Sequence, residues 1–316
     1  MKTLVMISIL PLMAGCLSEP KYGTNQLAIT AVTGTPVVGA LSSSSATIRF
    51  RTDAAGDVAI EYAANKFFTN SATTNEVTTA SADDYTAGIV LSGLSANTTY
   101  WYRLIVDDAT QSSTYVQRFK TLSTGTSCVM AVFADVGNVD RTTGVYRRGK
   151  DDGAVLALQI GDLDHRNPSS LAESRTMHRQ MKDESRIHGA KFAEHILTKM
   201  AVVHVWDDHD YCDNDEDRNC TTRSSAWQAI EEHWPFYSRP NADAGLWHAF
   251  SCGDADVFVL DTRSQRDPNS DTDNASKSML DGAGIADDQK DWLKAGLSGS
   301  IKTWKIVVSS CLLYTS

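Results

Sequence analysis

Two kinds of hydrophobic patterning divide the chain. From Leu27 to about Leu122, short runs alternate apolar and polar positions, as in Ala46-Thr47-Ile48-Arg49-Phe50-Arg51 and Val58-Ala59-Ile60-Glu61-Tyr62, with Gly, Ser, Asn and Asp between them. A period of two broken by turn residues predicts half-buried strands. After the Ser/Thr/Gly run Thr121–Ser127, which marks a domain boundary, the apolar runs become continuous: Val129–Phe133, Val155–Ile160 and Ala201–Trp206. These predict buried strands, separated by a mixed helix-like stretch and then by a long helical region from Leu171 to Met200. In that region Met177, Met181, Ile187, Phe192, Ile196 and Leu197 are core positions. A hairpin around Cys252-Gly253-Asp254, a helix over Asp287–Leu297 and a strand over Trp304–Ser309 follow. Alternating strands and helices predict an α/β layered unit behind an all-β one.

Each continuous apolar run ends in acid. The three ends are Ala134-Asp135-Val136-Gly137-Asn138, Gly161-Asp162-Leu163-Asp164-His165-Arg166, and an acidic loop, Asp207-Asp208-His209-Asp210-Tyr211-Cys212-Asp213-Asn214. So many carboxylates repel one another unless cations hold them, and oxygen with imidazole donors suits hard or borderline metals. For one aspartate after a strand, a helix N-cap is the competing reading; for the third stretch alone, an acidic surface turn is. Three such ends in succession, with histidines attached, predict one site at the carboxyl edge of a sheet. Asp135, Asp162 and Asp208 are then candidate ligands of two metals. A metal pair clamps a phosphoryl group and acidifies a bound water, which is the chemistry of phosphate-ester hydrolysis. His209 is placed to protonate a leaving group or hold the phosphate.

The net charge of −10 argues against a nucleic-acid backbone as partner and predicts no nucleic-acid-binding surface. Lys2, the apolar run Leu4–Met13 and the small residues before Cys16 predict an export signal over residues 1–16, too short to span a bilayer as a helix. Met13-Ala14-Gly15-Cys16 resembles a bacterial lipobox, so Cys16 is the expected lipidation site and the membrane an expected partner; an ordinary secretory cut is the alternative. Residues 17–26 then serve as a tether. Export into an oxidising compartment favours disulfides. Cys212 and Cys220 bracket the acidic loop and are expected to close it, two free thiols being the alternative. Cys128 precedes its apolar run, which sets it aside as a metal ligand.

Three resemblances sharpen this reading. Leu91-Ser92-Gly93-Leu94-Ser95-Ala96-Asn97-Thr98-Thr99-Tyr100 is similar to the tyrosine corner of fibronectin type III domains, which makes Tyr100 and Tyr102 structural. Gly161-Asp162, Trp206-Asp207-Asp208-His209-Asp210-Tyr211 with Asn214-Asp215, Trp247-His248-Ala249-Phe250 and Leu260-Asp261-Thr262-Arg263 together resemble the PhoD-type alkaline phosphatases of the calcineurin-like metallophosphatase superfamily. That resemblance implies a fibronectin III-like N-terminal domain over residues 27–122 and a four-layer αββα metallophosphatase domain over 128–310. It also implies hydrolysis of phosphomonoesters or phosphodiesters outside the cytoplasm. It makes Asp135, Asp162, His165, Asp208 and Asn214 the metal candidates and His209 the catalytic one. The implied metals are Fe(III) and Ca²⁺. Zn²⁺ or Mn²⁺ are alternatives, since Asp135 stands where the best-known members carry cysteine and His165 where they carry tyrosine. Arg263 is a candidate for binding substrate phosphate, with an internal ion pair to a nearby aspartate equally open.

The superfamily completes its site with downstream histidines, and the chain as written is expected to lack them. Residues 311–316 match the translated end of a sequencing adapter, so a truncated and inactive catalytic domain is the expectation. Two other readings compete: a purple-acid-phosphatase-like enzyme, and a non-catalytic surface-binding protein with a degenerate phosphatase domain.

Overall fold

The computed structural model describes residues 30–111, 116–135, 143–183, 191–242, 244–274, 276–281 and 289–311. Cys16, the export signal, the tether, Ile187 and residues 312–316 lie outside them. The N-terminal part is built of strands. They are β1 (Val37–Gly39), β2 (Ser45–Arg51), β3 (Asp57–Ala63), β4 (Ala72–Thr73), β5 (Val77–Thr78), β6 (Thr86–Ser92), β7 (Thr99–Val106), β8 (Ala109–Thr110) and β9 (Gln117–Lys120). One antiparallel sheet runs β1-β2-β6; the second is centred on β3 and β7, with β4, β5, β8 and β9 at their flanks. The alternation read from sequence appears directly. Ala46, Ile48 and Phe50 of β2 and Tyr100, Tyr102, Leu104 and Val106 of β7 are buried, with less buried residues between them. Each fully buried Ile, Leu or Phe is worth roughly 1.5–3 kcal/mol. The Tyr100 hydroxyl accepts the Ser95 backbone N–H at 2.9 Å, closing the turn that Leu94 buries.

The second part carries a parallel sheet of β10 (Met130–Phe133), β11 (Leu156–Ile160) and β12 (Ala201–Val205), with α1 (Thr143–Asp151) and α2 (Leu171–Met181) in its crossovers. Phe133, Gln159 and His204 lie in register across the three strands, so the acidic ends emerge side by side. A second sheet pairs β13 (His248–Cys252) with β14 (Ala255–Val259) as a hairpin and β14 with β15 (Trp304–Val308) in parallel. Two expectations change. The long helix ends at Met181, because Lys182 leaves helical geometry and turns its ammonium inward to His233; Ala193–Leu197 forms a separate π-helical turn. The acidic loop contains a helical turn, α3 (Asp208–Tyr211), where Asp207 caps by its backbone geometry. The later helices are α4 (Arg223–His233) and α5 (Gln289–Gly299).

The two parts meet closely. A Cβ on Gly39 would come within 2.5 Å of Pro235 and 2.8 Å of the Val202 carbonyl, so only glycine lets β1 lie against β12. A second disulfide, Cys128–Cys252, ties the segment entering β10 to the β13–β14 turn. Asp84 accepts from Arg51 at 3.1 Å and from Arg179 at 2.7 Å, and lies 3.2 Å from the buried His233. Burial alone would raise the Asp84 carboxyl. Hydrogen bonds from His233 and Arg51, with the charges of Arg51 and Arg179, outweigh it and hold the group well below the usual carboxylate range. A depressed folded pKa stabilises above the unfolded value of about 4 and is lost as pH falls through the folded one, so this contact fails only in acid. Asp84→Asn is expected to cost about 2 kcal/mol near neutrality by urea unfolding. An unchanged midpoint would mean the carboxylate does not hold the two parts together.

Candidate metal centre

The strand ends reach the site through unusual backbone. Asp135 and Asp162 adopt φ of 47° and 53°, in the left-handed region. Such conformations cost a non-glycine residue about 1 kcal/mol or more and persist where surroundings enforce them. Gly161, at φ 84°, has no room for a side chain: its Cβ would lie 2.4 Å from that of Asp207. The second and third strand ends are thereby brought into contact. The Asp135 N–H also donates to the Gly161 carbonyl at 3.3 Å.

Two donor sets result. Ligand atoms of Asp135, Asp162 and His165 lie within 4.8 Å of one another, as do those of Asp162, Asp208 and His209, and Asp162 belongs to both. His165 Nε2 is 3.2 Å from Asp135 Oδ1 and 3.7 Å from Asp162 Oδ2. The His165 and His209 rings stand 4.6 Å apart. Asp162 Oδ1 and His165 Nε2 are buried without a hydrogen-bond partner, an expensive arrangement in a protein interior. Burial and repulsion from Asp207 and Asp208 push the Asp162 carboxyl up to about 6. Oxygen and imidazole donors, two of them unsatisfied and one carboxylate shared, fit a pair of hard or borderline cations.

Around this cluster the structure adds groups that sequence patterning missed. Asp210 accepts the backbone N–H of Asp162 at 2.6 Å, of Asp164 at 3.2 Å and of Asp207 at 3.4 Å. It joins two strand ends, and burial with repulsion from Asp162 pushes its carboxyl well up. Its place three residues after Asp207, the spacing of a capping box, was the available signal. Asn167 Oδ1 meets His209 Nδ1, a contact without local sequence signature. Asp261 accepts the Trp206 indole N–H at 2.8 Å, which explains the tryptophan that opens the motif.

Two expected residues make other described contacts. Arg263 is buried in the internal ion pair that the sequence left equally open, with its Nε on Asp207 and Nη2 3.2 Å from Asp208, and so offsets the charge of motif carboxylates. Asn214 is exposed and its amide donates to Asp215; among the described contacts none joins its side chain to the cluster. The backbone N–H of Asp215 donates to Asp208 Oδ2 at 2.7 Å instead. Cys212 and Cys220 form the expected disulfide.

This geometry has counterparts. Residues 34–123 match the N-terminal domain of PhoD-like phosphatases, and residues 144–315 match the PhoD-like phosphatase family. No curated protein matches the chain. A solved structure of PhoD superposes with a TM-score of 0.71 at 19% identity, over 87% of this chain and 61% of that one. The purple acid phosphatase PPD1 from yellow lupin (Lupinus luteus) seeds does so with a TM-score of 0.61 at 13% identity, over 89% and 51%. The chain therefore spans less than two thirds of either structure, and at these identities both likenesses concern the fold. The match over residues 144–315 takes in more than half of the chain, which belongs to the PhoD-like phosphatase family.

Proposed function

We propose that the chain belongs to an exported, metal-dependent phosphoesterase acting on phosphomonoesters, phosphodiesters or both. In this reading it is anchored by lipid at Cys16, with a fibronectin III-like sandwich over residues 27–122 and a four-layer metallophosphatase domain from residue 128. The observation that carries it is the pair of donor sets sharing Asp162, whose buried Oδ1 has no partner. Asp135, Asp162 and His165 would hold one cation and Asp162, Asp208 and His209 border a second; iron with calcium, or zinc or manganese, suits these donors. Bound cations would polarise a phosphoryl oxygen and lower the pKa of a water to make the nucleophile. Arg263 offsets the charge of Asp207 and Asp208, Asp210 holds the strand ends in place, and His209 handles the proton of the departing oxygen.

The test is metal analysis of the chain extended to the full length of its relatives, with hydrolysis of p-nitrophenyl phosphate and bis(p-nitrophenyl) phosphate before and after chelation. Stoichiometric metal is expected, with turnover falling to background on chelation and returning on re-addition. Metal at a hundred times its Kd should also add about 2.7 kcal/mol to stability. A chain extended to the full length of its relatives that keeps no metal and cleaves neither ester would favour the binding-protein reading.

A further inference from the structure

We infer that Asn167 and Asp213, held by the Cys212–Cys220 ring, are positioning residues that fix the tautomer of His209. The inference rests on the functional reading only for its consequence in catalysis. Asn167 Nδ2 lies 2.6 Å from Asp213 Oδ1. An ionised carboxylate only accepts, so the Asn167 amide must turn its NH₂ toward Asp213. Its carbonyl Oδ1 is then the atom against His209 Nδ1, and a carbonyl also only accepts. His209 must therefore carry a proton on Nδ1. In neutral imidazole this makes Nε2 the lone-pair nitrogen, able to bind a cation or accept a proton; it can donate to a leaving group only as imidazolium.

Asp213 is itself held. It sits in the ring closed by the Cys212–Cys220 disulfide, and its Oδ1 also accepts the Asn214 N–H at 2.7 Å. The far side of the ring is anchored where Arg218 pairs with Asp267 and its N–H donates to the Arg266 carbonyl at 3.2 Å. The same ring supplies the Asp215 N–H to Asp208 Oδ2, and the Cys212 N–H donates to the Asp208 carbonyl at 2.7 Å. One closed loop thus orients two neighbouring members of the cluster, Asp208 directly and His209 through Asn167.

The experiment is side-chain ¹⁵N NMR of histidine in the chelated, full chain at mildly alkaline pH, with His209 identified by its loss in His209→Gln. The wild type is expected to show the proton on Nδ1. Asn167→Ala should populate the Nε2–H form, and Asp213→Asn, which leaves the amide free to flip, should do so in part. In the metal-loaded enzyme Asn167→Ala should lower kcat about tenfold with KM nearly unchanged, and Asn167→Asp combined with Asp213→Asn, which keeps an acceptor against His209 Nδ1 and lets the new amide donate to it, should restore most of it. A wild-type proton on Nε2, or identical tautomers in the wild type and both variants, would overturn the relay. A tautomer shift in a chain that hydrolyses no ester even when extended to the full length of its relatives would uphold it and sink the phosphatase reading instead.

Discussion

Asp162→Asn is expected to abolish function and stabilise the metal-free protein. Asp162 is the residue common to both donor sets. An amide of the same shape offers the clustered cations a weaker, uncharged ligand, and turnover should fall by about a thousandfold, or roughly 4 kcal/mol of transition-state stabilisation. Stability moves the other way. Burial and the charges of Asp207 and Asp208 push the carboxyl up to about 6 in the folded chain, against about 4 when unfolded. A raised folded pKa means that the folded state tolerates the protonated form and resists the ionised one. The associated stability is present below about pH 4 and lost as pH rises to about 6. Above that, the metal-free wild type carries a penalty of about 2 kcal/mol, allowing for the side chain's partial exposure. The asparagine variant escapes it. Urea unfolding of the chelated proteins should show the variant more stable at neutral pH, with the curves converging in acid. Equal stability at all pH values would mean that repulsion at the cluster is relieved without metal.

That trade between ligand charge and stability was partly legible before any coordinates. Asp135, Asp162 and Asp208 announce themselves because an apolar run followed at once by acid is costly without a reason, and register does the rest by bringing the strand ends side by side. Tyr100 and the Cys212–Cys220 pair are similarly local, each making its contact within a few residues. What sequence reading missed lies at long range. Asn167 reaches His209 across 42 residues and Asp261 reaches Trp206 across 55, with no periodicity linking either pair. Cys128 and Cys252 are separated by 124 residues, and spacing alone does not dictate which cysteines pair. Arg263 was ambiguous because a guanidinium reads the same in sequence whether it meets phosphate or carboxylate; the fold supplies the carboxylates of Asp207, 56 residues away, and of Asp208 beside it. Asn214 is the converse case: it is near Asp208 in sequence, and its side-chain amide donates to Asp215.

Asp261→Ala is expected to be the most destabilising single change near the site. The carboxylate is fully buried. Its Oδ1 accepts the Trp206 indole N–H at 2.8 Å and the Ser264 N–H at 3.0 Å, while Oδ2 accepts the Leu246 N–H at 3.0 Å and the Ser264 hydroxyl at 2.5 Å. Its backbone is gripped as well: the Asp261 N–H donates to Gln289 Oε1 at 2.7 Å, and Gln289 Nε2 donates to the Asp261 carbonyl at 2.8 Å. Alanine leaves the side-chain donors stranded in the interior, each worth about 1–3 kcal/mol when unsatisfied. Some recovery by an entering water brings the expected loss to about 4 kcal/mol. Asp261→Asn keeps one acceptor but turns an NH₂ toward other donors, so it should fall between. The effect should also reach the cluster, because Trp206 precedes Asp207 and Asp208 and its indole is anchored only by this carboxylate among the described hydrogen bonds. A double-mutant cycle with Trp206→Phe separates that route from general destabilisation. Coupling of about 1 kcal/mol or more is expected. A near-zero coupling, with metal affinity unchanged, would show that the tryptophan holds the strand end by packing against Tyr211 and Trp227 rather than through its hydrogen bond.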